Sequence, residues 1–159
     1  MDTYDWLLLL HMTGAFLFLG AAVVAWVLGI AAALRERPSE IALLLGLTQI
    51  AAIGFGIGTT LLLVFGIWLV IHVDAYSIGD GWIVAALILF ALSLVIGGLG
   101  GSRDKRTRML AQRLAGEGDA PSSELTAAVR DVRALLYNVA STLGAFVVLV
   151  LMIYKPGAS

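Results

Sequence analysis

The sequence predicts an all-α polytopic membrane protein, an antiparallel bundle of four transmembrane helices that form one domain. Of its 159 residues, 60% are hydrophobic and only 13% are charged, and the mean hydropathy is +0.99. A soluble domain of this length needs a far more polar surface, so we expect the chain in a lipid bilayer. Charged residues divide the sequence into four uncharged stretches, each longer than the roughly 20 residues that cross the hydrocarbon core.

The four predicted spans all belong to the single domain. They cover about residues 6–34, 41–73, 81–102 and 134–154 of the domain 1–159. The short basic connection after the first span predicts a hairpin of the first two helices. The second stretch is too long for a perpendicular span, so it must tilt, break or project from the membrane. Residues 103–133 are predicted as a cytoplasmic helical extension, in which Ser122 or Ser123 caps a helix that runs unbroken into the fourth span.

Lysine and arginine predict the orientation of the bundle. Nine of the ten basic residues fall in the two loops on one side, and only Lys155 falls on the other. Basic loops stay in the cytoplasm. Both termini are therefore predicted to lie outside, in the inner (cytoplasmic) membrane of a bacterium. Aromatic residues near the predicted outer interface form a belt, namely Tyr4, Trp6, Tyr76, Trp82 and Tyr154.

His11 is the first candidate functional residue. It is the one ionisable side chain of the first span, which has no charged residue between Asp5 and Arg35. An imidazole in hydrocarbon is costly unless it has a partner, so its position indicates function. Gly14 and Ala15 share its helix face and leave space beside the ring. A haem or metal ligand and a packed, hydrogen-bonded structural histidine both fit this pattern.

A regular stripe follows the second predicted helix. Its members are spaced 4, 3, 4, 3 and 4 residues apart and are Gly54, Gly58, Leu61, Phe65, Trp68 and His72. Such spacing is typical of a face turned towards neighbouring helices, and its glycines permit close backbone approach. The third helix has a similar pair of glycines four residues apart, Gly97 and Gly101. Tight packing or a dimer contact, and a slot that clears space for a cofactor, are both open interpretations.

The two histidines of the chain, His11 and His72, both lie towards the predicted outer face. Counted from the aromatic residues Trp6 and Tyr76, they have about the same depth. Counted from the hairpin turn at about 1.5 Å per residue, they differ by about 13 Å. That offset is too large for two axial ligands of one haem unless the second helix tilts or bends.

Methionines offer a different ligand set. Met12 and Met152 also lie near the outer ends of their helices, and with His11 they could suit copper(I) or a His–Met haem. The sequence has no cysteine, which excludes thiolate-bound metals and iron–sulfur clusters. No Asp, Glu, Lys or Arg lies inside a predicted span, which argues against a proton relay or an ion-coupled transporter.

The start of the first span resembles the opening helix of a group of small bacterial membrane proteins. The matching residues are Leu10-His11-Met12-Thr13-Gly14-Ala15, followed by aromatic residues and Gly20. The group includes uncharacterised predicted integral membrane proteins and, more distantly, the copper resistance D family and the haem-dependent J-type protoporphyrinogen oxidases. The resemblance implies a four-helix bundle in which His11 can ligate haem b. In the oxidase relatives a basic residue in the third span belongs to the active centre, and residues 81–102 contain none.

Three functions are open at this point. In the leading one the chain binds haem b for electron transfer, haem handling or redox sensing, with a membrane redox partner. His11 would be the axial ligand, and His72 the second ligand or the partner of a propionate. The residues that would make room for the macrocycle or pack on it are Gly14, Ala15, Gly54, Gly58, Phe18, Phe65 and Trp68.

The two alternatives belong to different classes. One is a cofactor-free membrane scaffold or accessory subunit that forms a homodimer through its glycine faces. The other is a copper(I) conduit that uses His11 with Met12 and Met152. Whether any reaction is catalysed is open in all three. The basic cytoplasmic loop is expected to meet anionic lipid, and nucleic acid is not an expected partner.

Overall fold

The structure, a computed structural model, describes residues 2–73 and 76–156, and within these ranges it contains five helices and no strand. The helices are α1 (Thr3–Ala33), α2 (Pro38–His72), α3 (Gly81–Gly116), α4 (Ser123–Val129) and α5 (Val132–Tyr154). The helical segments α1, α2, α3 and α4 with α5 are each long and apolar enough to cross a membrane. The predicted all-α, four-helix membrane bundle is confirmed. The start of the second predicted loop and the two ends of the domain lie outside the described residues.

The long helices pack as two pairs. α1 lies along α2, α3 lies along α5, and the pairs meet mainly where α2 contacts α3. The pairing of α1 with α2 is antiparallel, as predicted, because Ala21 faces Gly54 whereas His11 faces Gly66 further along α2. One buried cluster joins α1, α3 and α5, and α2 packs against it through partly buried side chains such as Phe55 and Leu62. The buried members of the cluster are Phe18, Ala86, Phe90, Ala145 and Val148.

The two ends of the bundle differ in their connections. Tyr4, Tyr76 and Lys155 line one cavity, so the start of α1 and the end of α5 lie at the same end, which we name the terminal end. At the opposite end, Asp119 accepts hydrogen bonds from both the backbone N–H and the hydroxyl of Ser39, each at 2.7 Å. These two hydrogen bonds join the α3–α4 loop to the first turn of α2. That the terminal end faces the outside of the cell stays a prediction.

Glycines allow the backbones of α1 and α2 to approach closely. A Cβ atom on Gly58 would lie 2.6 Å from the backbone nitrogen of Phe18, and one on Gly14 would lie 2.8 Å from that of Leu62. A Cβ on Gly54 would lie 3.7 Å from the Cβ of Ala21. Close packing of α1 on α2 therefore leaves no room for a side chain at Gly14 or Gly58, whereas a Cβ at Gly54 would make an ordinary contact.

The second half of the predicted stripe does not follow this contact. The face of α2 that meets α1 continues through Leu62 and Gly66, at steps of four residues from Gly58. Trp68 and His72 are exposed instead. The stripe advances 18 residues in five turns and so stays on one line along the helix, whereas each step of four residues turns by about 40° beyond a full turn. The contact with α1 therefore moves away from the stripe along α2.

α3 and α5 also pack closely, through glycines on α3 and small polar side chains. Ser141 donates a hydrogen bond of 2.8 Å to the backbone carbonyl of Ser93, and both residues are buried. A Cβ atom on Gly97 would lie 2.8 Å from the hydroxyl of Ser141, and one on Gly100 would lie 2.6 Å from the amide oxygen of Asn138. Gly100, not the predicted Gly101, is thus the partner of Gly97 in this contact.

The helical extension differs from the prediction in one respect. Ser122 caps α4 by accepting from the N–H of Leu125, as expected. However, the helix does not run unbroken into the fourth span, because Asp131 accepts from the N–H of Arg133 and caps a new helix. The Asp131 carboxylate also pairs with Arg103 at 2.6 Å. An aspartate that caps α5 and binds α3 favours the break.

The outward surface of the long helices is apolar. Large hydrophobic side chains are more than half exposed on each of them, for example Phe16 on α1, Ile50 on α2, Val95 on α3 and Phe146 on α5. Helices that are apolar on all sides are typical of a membrane span. The lipid bilayer is therefore the partner of this surface, as predicted.

Candidate functional site

A cavity of about 410 Å³ lies at the terminal end of the bundle and is lined by all four long helices. Its volume is within the range of about 300–1,000 Å³ that is usual for small-molecule sites. Most of its walls are aliphatic or aromatic. Five of the predicted site residues contribute to them, namely His11, Met12, Ala15, Phe18 and Met152.

His11 enters the cavity wall from α1 with a fixed ring. Its Nδ1 lies 3.1 Å from the backbone carbonyl oxygen of Leu62 on α2. A carbonyl oxygen only accepts hydrogen bonds, so Nδ1 must carry the proton and donate. Nε2 of the neutral ring is then left with its lone pair. Histidines that bind metals in proteins have this arrangement, in which one nitrogen donates to a carbonyl and the other is the ligand.

Gly66 leaves room for the His11 ring because it has no side chain. A Cβ atom on Gly66 would lie 2.9 Å from Cε1 and 3.0 Å from Nδ1 of the ring. Gly66 is not among the predicted site residues because it lies outside the stripe with spacings of 4, 3, 4, 3 and 4. Gly54, Gly58 and Gly66 lie in one row at multiples of four residues, but only the contact of α1 with α2 shows that this row faces His11.

The structure does not bring the two histidines together. His72 is the last residue of α2, is exposed, and is not among the residues that line the cavity. From Gly66, beside His11, to His72 the helix rises by about 9 Å and turns by about 240°. The depth count from the hairpin turn was therefore nearer the structure than the count from the aromatic belt.

The remaining predicted site residues separate into two groups. Phe18 lies between Phe55 and Phe90, with ring centroids 4.3 Å and 5.5 Å away, and forms part of the cavity wall. Phe65 and Trp68 stack on each other at 6.4 Å, and neither lines the cavity. Gly14, Gly54 and Gly58 are also outside it, because they serve the contact of α1 with α2.

Polar groups line the part of the cavity near the chain ends. Lys155 donates a hydrogen bond of 2.5 Å to the hydroxyl of Tyr76, and the rings of Tyr76 and Trp82 meet edge to face at 5.6 Å. The sequence analysis placed these aromatic residues only in an interfacial belt. Within residues 2–73 and 76–156, no three His, Asp or Glu side chains lie together to hold a metal ion. A metal here would need methionine or a macrocycle besides His11.

Comparison with known proteins identifies the family. Residues 5–156 match the family described as "Predicted integral membrane protein (DUF2269)", and the chain belongs to it. This agrees with the resemblance to uncharacterised bacterial membrane proteins. No curated protein and no solved structure was found to match the chain. The more distant similarity to copper resistance D proteins and to the oxidases stays a prediction.

Proposed function

We propose that the chain binds haem b in the cavity at the terminal end, with Nε2 of His11 as an axial ligand to the iron. The observation that carries this proposal is the hydrogen bond from Nδ1 of His11 to the Leu62 carbonyl, on a ring that lines an apolar cavity. A purely structural histidine in a membrane gains most when both of its ring nitrogens have partners. Here the bond made by Nδ1 presents the other nitrogen as a ligand.

The other residues of the cavity fit the same group. The Leu62 carbonyl fixes the orientation of the imidazole and raises its basicity, as outer-shell acceptors do. Phe18 and Phe90 supply aromatic wall that excludes water. Bound haem supplies one-electron redox chemistry, whose potential depends on its axial ligands and burial. Electron transfer, haem handling and redox sensing would all use these features.

Met152 is a better candidate than His72 for a second ligand. Met152 lies on α5 and lines the cavity together with His11, whereas His72 does not. Met12 also lines it, but it follows His11 directly in α1, so the two side chains diverge by about 100°. We therefore propose His–Met ligation in preference to the bis-histidine arrangement.

The chain has only two histidines, which provides a matched control. The test is a reduced-minus-oxidised absorption spectrum of protein purified in mild detergent after expression with ample haem. We expect Soret and α bands at near one haem per chain in the wild type and in His72→Ala, and their loss in His11→Ala. Folded wild-type protein with no Soret band would refute the proposal. Retained bands in His11→Ala would refute His11 as the ligand, and loss of the bands in both variants would refute His–Met ligation in favour of the bis-histidine arrangement.

Copper(I) is a second candidate because His11, Met12 and Met152 line one cavity. Imidazole and thioether are ligands that copper(I) accepts. Copper would appear as stoichiometric metal by elemental analysis, without a Soret band, and would be lost in both His11→Ala and Met152→Leu. The dimerising scaffold has less support, since Gly14, Gly54 and Gly58 face α1 or α2 of the same chain.

A further inference from the structure

We propose that Lys155, Tyr76 and Trp82 form a carboxylate-binding site in the wall of the cavity. This site would hold the anionic head of the molecule whose apolar body fills the space beside His11. The first candidate for this molecule is haem b, an apolar macrocycle with two propionates, and to that extent the inference rests on the proposed function. The sequence-based hypothesis gave the propionate to His72 instead.

The three side chains form one connected group. The Lys155 ammonium is hydrogen-bonded to the Tyr76 hydroxyl and lies 4.6 Å from the centroid of the Tyr76 ring. It lies 6.0 Å from the centroid of the Trp82 ring. All three residues line the same cavity as His11. A ligand in this cavity would therefore be able to meet both an imidazole and an ammonium group.

Trp82 carries the second, independent observation. Its side chain is only 8% exposed, and among the described residues its indole N–H has no hydrogen-bond partner. A buried donor without an acceptor is unfavourable, and the indole nitrogen can only donate. A carboxylate of the ligand would offer acceptor oxygens both to this N–H and to the Lys155 ammonium.

Lys155 is also held in position by the backbone. It ends α5 in the left-handed region, with φ 41° and ψ 58°, and its N–H donates to the Leu151 carbonyl at 2.9 Å. Residues other than glycine adopt this backbone conformation less readily, so a lysine in it indicates that surrounding contacts stabilise its position. The alternative role of Lys155, in which its ammonium extends to the membrane surface, would account for a positive charge at the end of a helix. It would not explain why the buried indole N–H of Trp82 has no acceptor among residues 2–73 and 76–156.

Three acidic residues near this end, among those that the structure describes, have hydrogen-bond partners other than Lys155. Asp2 and Asp5 form a capping box with each other at the start of α1. Asp80 accepts from the backbone N–H of Ser77 at 3.1 Å. Among residues 2–73 and 76–156, no carboxylate forms an ion pair with Lys155. An anionic ligand would supply a counter-charge to Lys155 in a site of low dielectric.

The test compares haem b with its dimethyl ester, in which both propionates are neutral, by Soret titration of the apoprotein. We expect the wild type to bind the free acid about tenfold more tightly than the ester. Lys155→Gln should bind both forms with similar affinity and with an unchanged Soret position, because His11 still ligates the iron. Lys105→Gln, which removes a basic residue at the other end of the bundle, is the control and should behave as wild type.

The outcomes separate the inference from the function on which it rests. If both haem forms bind the wild type equally, haem binding stands and the carboxylate site is wrong. If neither form binds, the proposed function fails, and the same comparison is made with palmitate and its methyl ester. A preference for palmitate that Lys155→Gln abolishes would then support the site for a fatty-acid carboxylate. Equal binding of acid and ester there would overturn the inference.

Discussion

The close contact of α1 with α2 makes a quantitative prediction at Gly58. A Cβ atom there would lie 2.6 Å from the backbone nitrogen of Phe18 and 3.0 Å from its Cα. Ordinary contact begins at 3.4 Å, so the two helices must separate locally by about 0.8 Å. These are backbone atoms, which cannot rotate away as the end of a side chain can. Overpacking of this kind typically costs about 1–3 kcal/mol.

Gly56 is the matched control, because a Cβ atom there would meet open space. Replacement of a mid-helix glycine by alanine favours the helix by up to about 1 kcal/mol, and this gain is common to both variants. The difference between Gly58→Ala and Gly56→Ala is therefore the packing cost alone. We expect Gly58→Ala to be less stable by about 1–3 kcal/mol.

The assay is reversible unfolding in mixed micelles, in which the denaturing detergent fraction is raised and helix content is followed by circular dichroism. Both variants are measured under the same conditions, so the difference between their midpoints, multiplied by the common slope of the transition, gives the difference in the free energy of unfolding. A Gly58→Ala protein as stable as Gly56→Ala would show that α1 and α2 do not approach as the structure describes. The packing explanation of the glycine stripe would then be wrong.

Two further predictions concern the cavity and the opposite end. In Gly66→Ala the new methyl group would meet only the His11 ring, 2.9 Å away, so we expect the fold to persist while the bond to Leu62 is lost. One hydrogen bond of about 1 kcal/mol corresponds to a roughly fivefold weaker haem affinity in a Soret titration, and an unchanged affinity would exclude an orienting role for that bond. At the other end, hydrogen bonds from the Ser39 hydroxyl and N–H, with the charge of Arg37, lower the pKa of Asp119. Because this folded-state pKa is depressed, the stabilisation is present above the unfolded value of about 3.9 and is lost as the pH falls through the folded-state pKa. Asp119→Asn should therefore be less stable than wild type near neutral pH, with the difference shrinking under acid in the same unfolding assay, and a pH-independent difference would contradict this.

Much of the bundle could be predicted because composition and charge determine it directly. Apolar stretches long enough to cross a bilayer must be helical, since only a helix satisfies every backbone group within one segment. The break at Asp131 could not be found in this way. It depends on Arg103 of α3 lying close enough to bind the same carboxylate that caps α5.

The candidate site was predicted only in part. His11 could be recognised from its position in the first span, because an ionisable group there is costly without a partner. The partner itself, the Leu62 carbonyl, is 51 residues away and has no signature in the sequence. Its neighbour Gly66 was likewise recognisable only once the contact of α1 with α2 was known.

The sequence by itself determined that this chain is a four-helix membrane protein, and it singled out His11 in the first span. Those properties follow from local apolarity and from the few charges that interrupt it. The tertiary structure alone decided which residues share the cavity with His11. It excluded His72 and brought Met152, Trp82 and Lys155 to the same cavity. The physical reason is that the register and crossing of helices depend on contacts of a few ångströms between distant residues, which hydropathy does not encode.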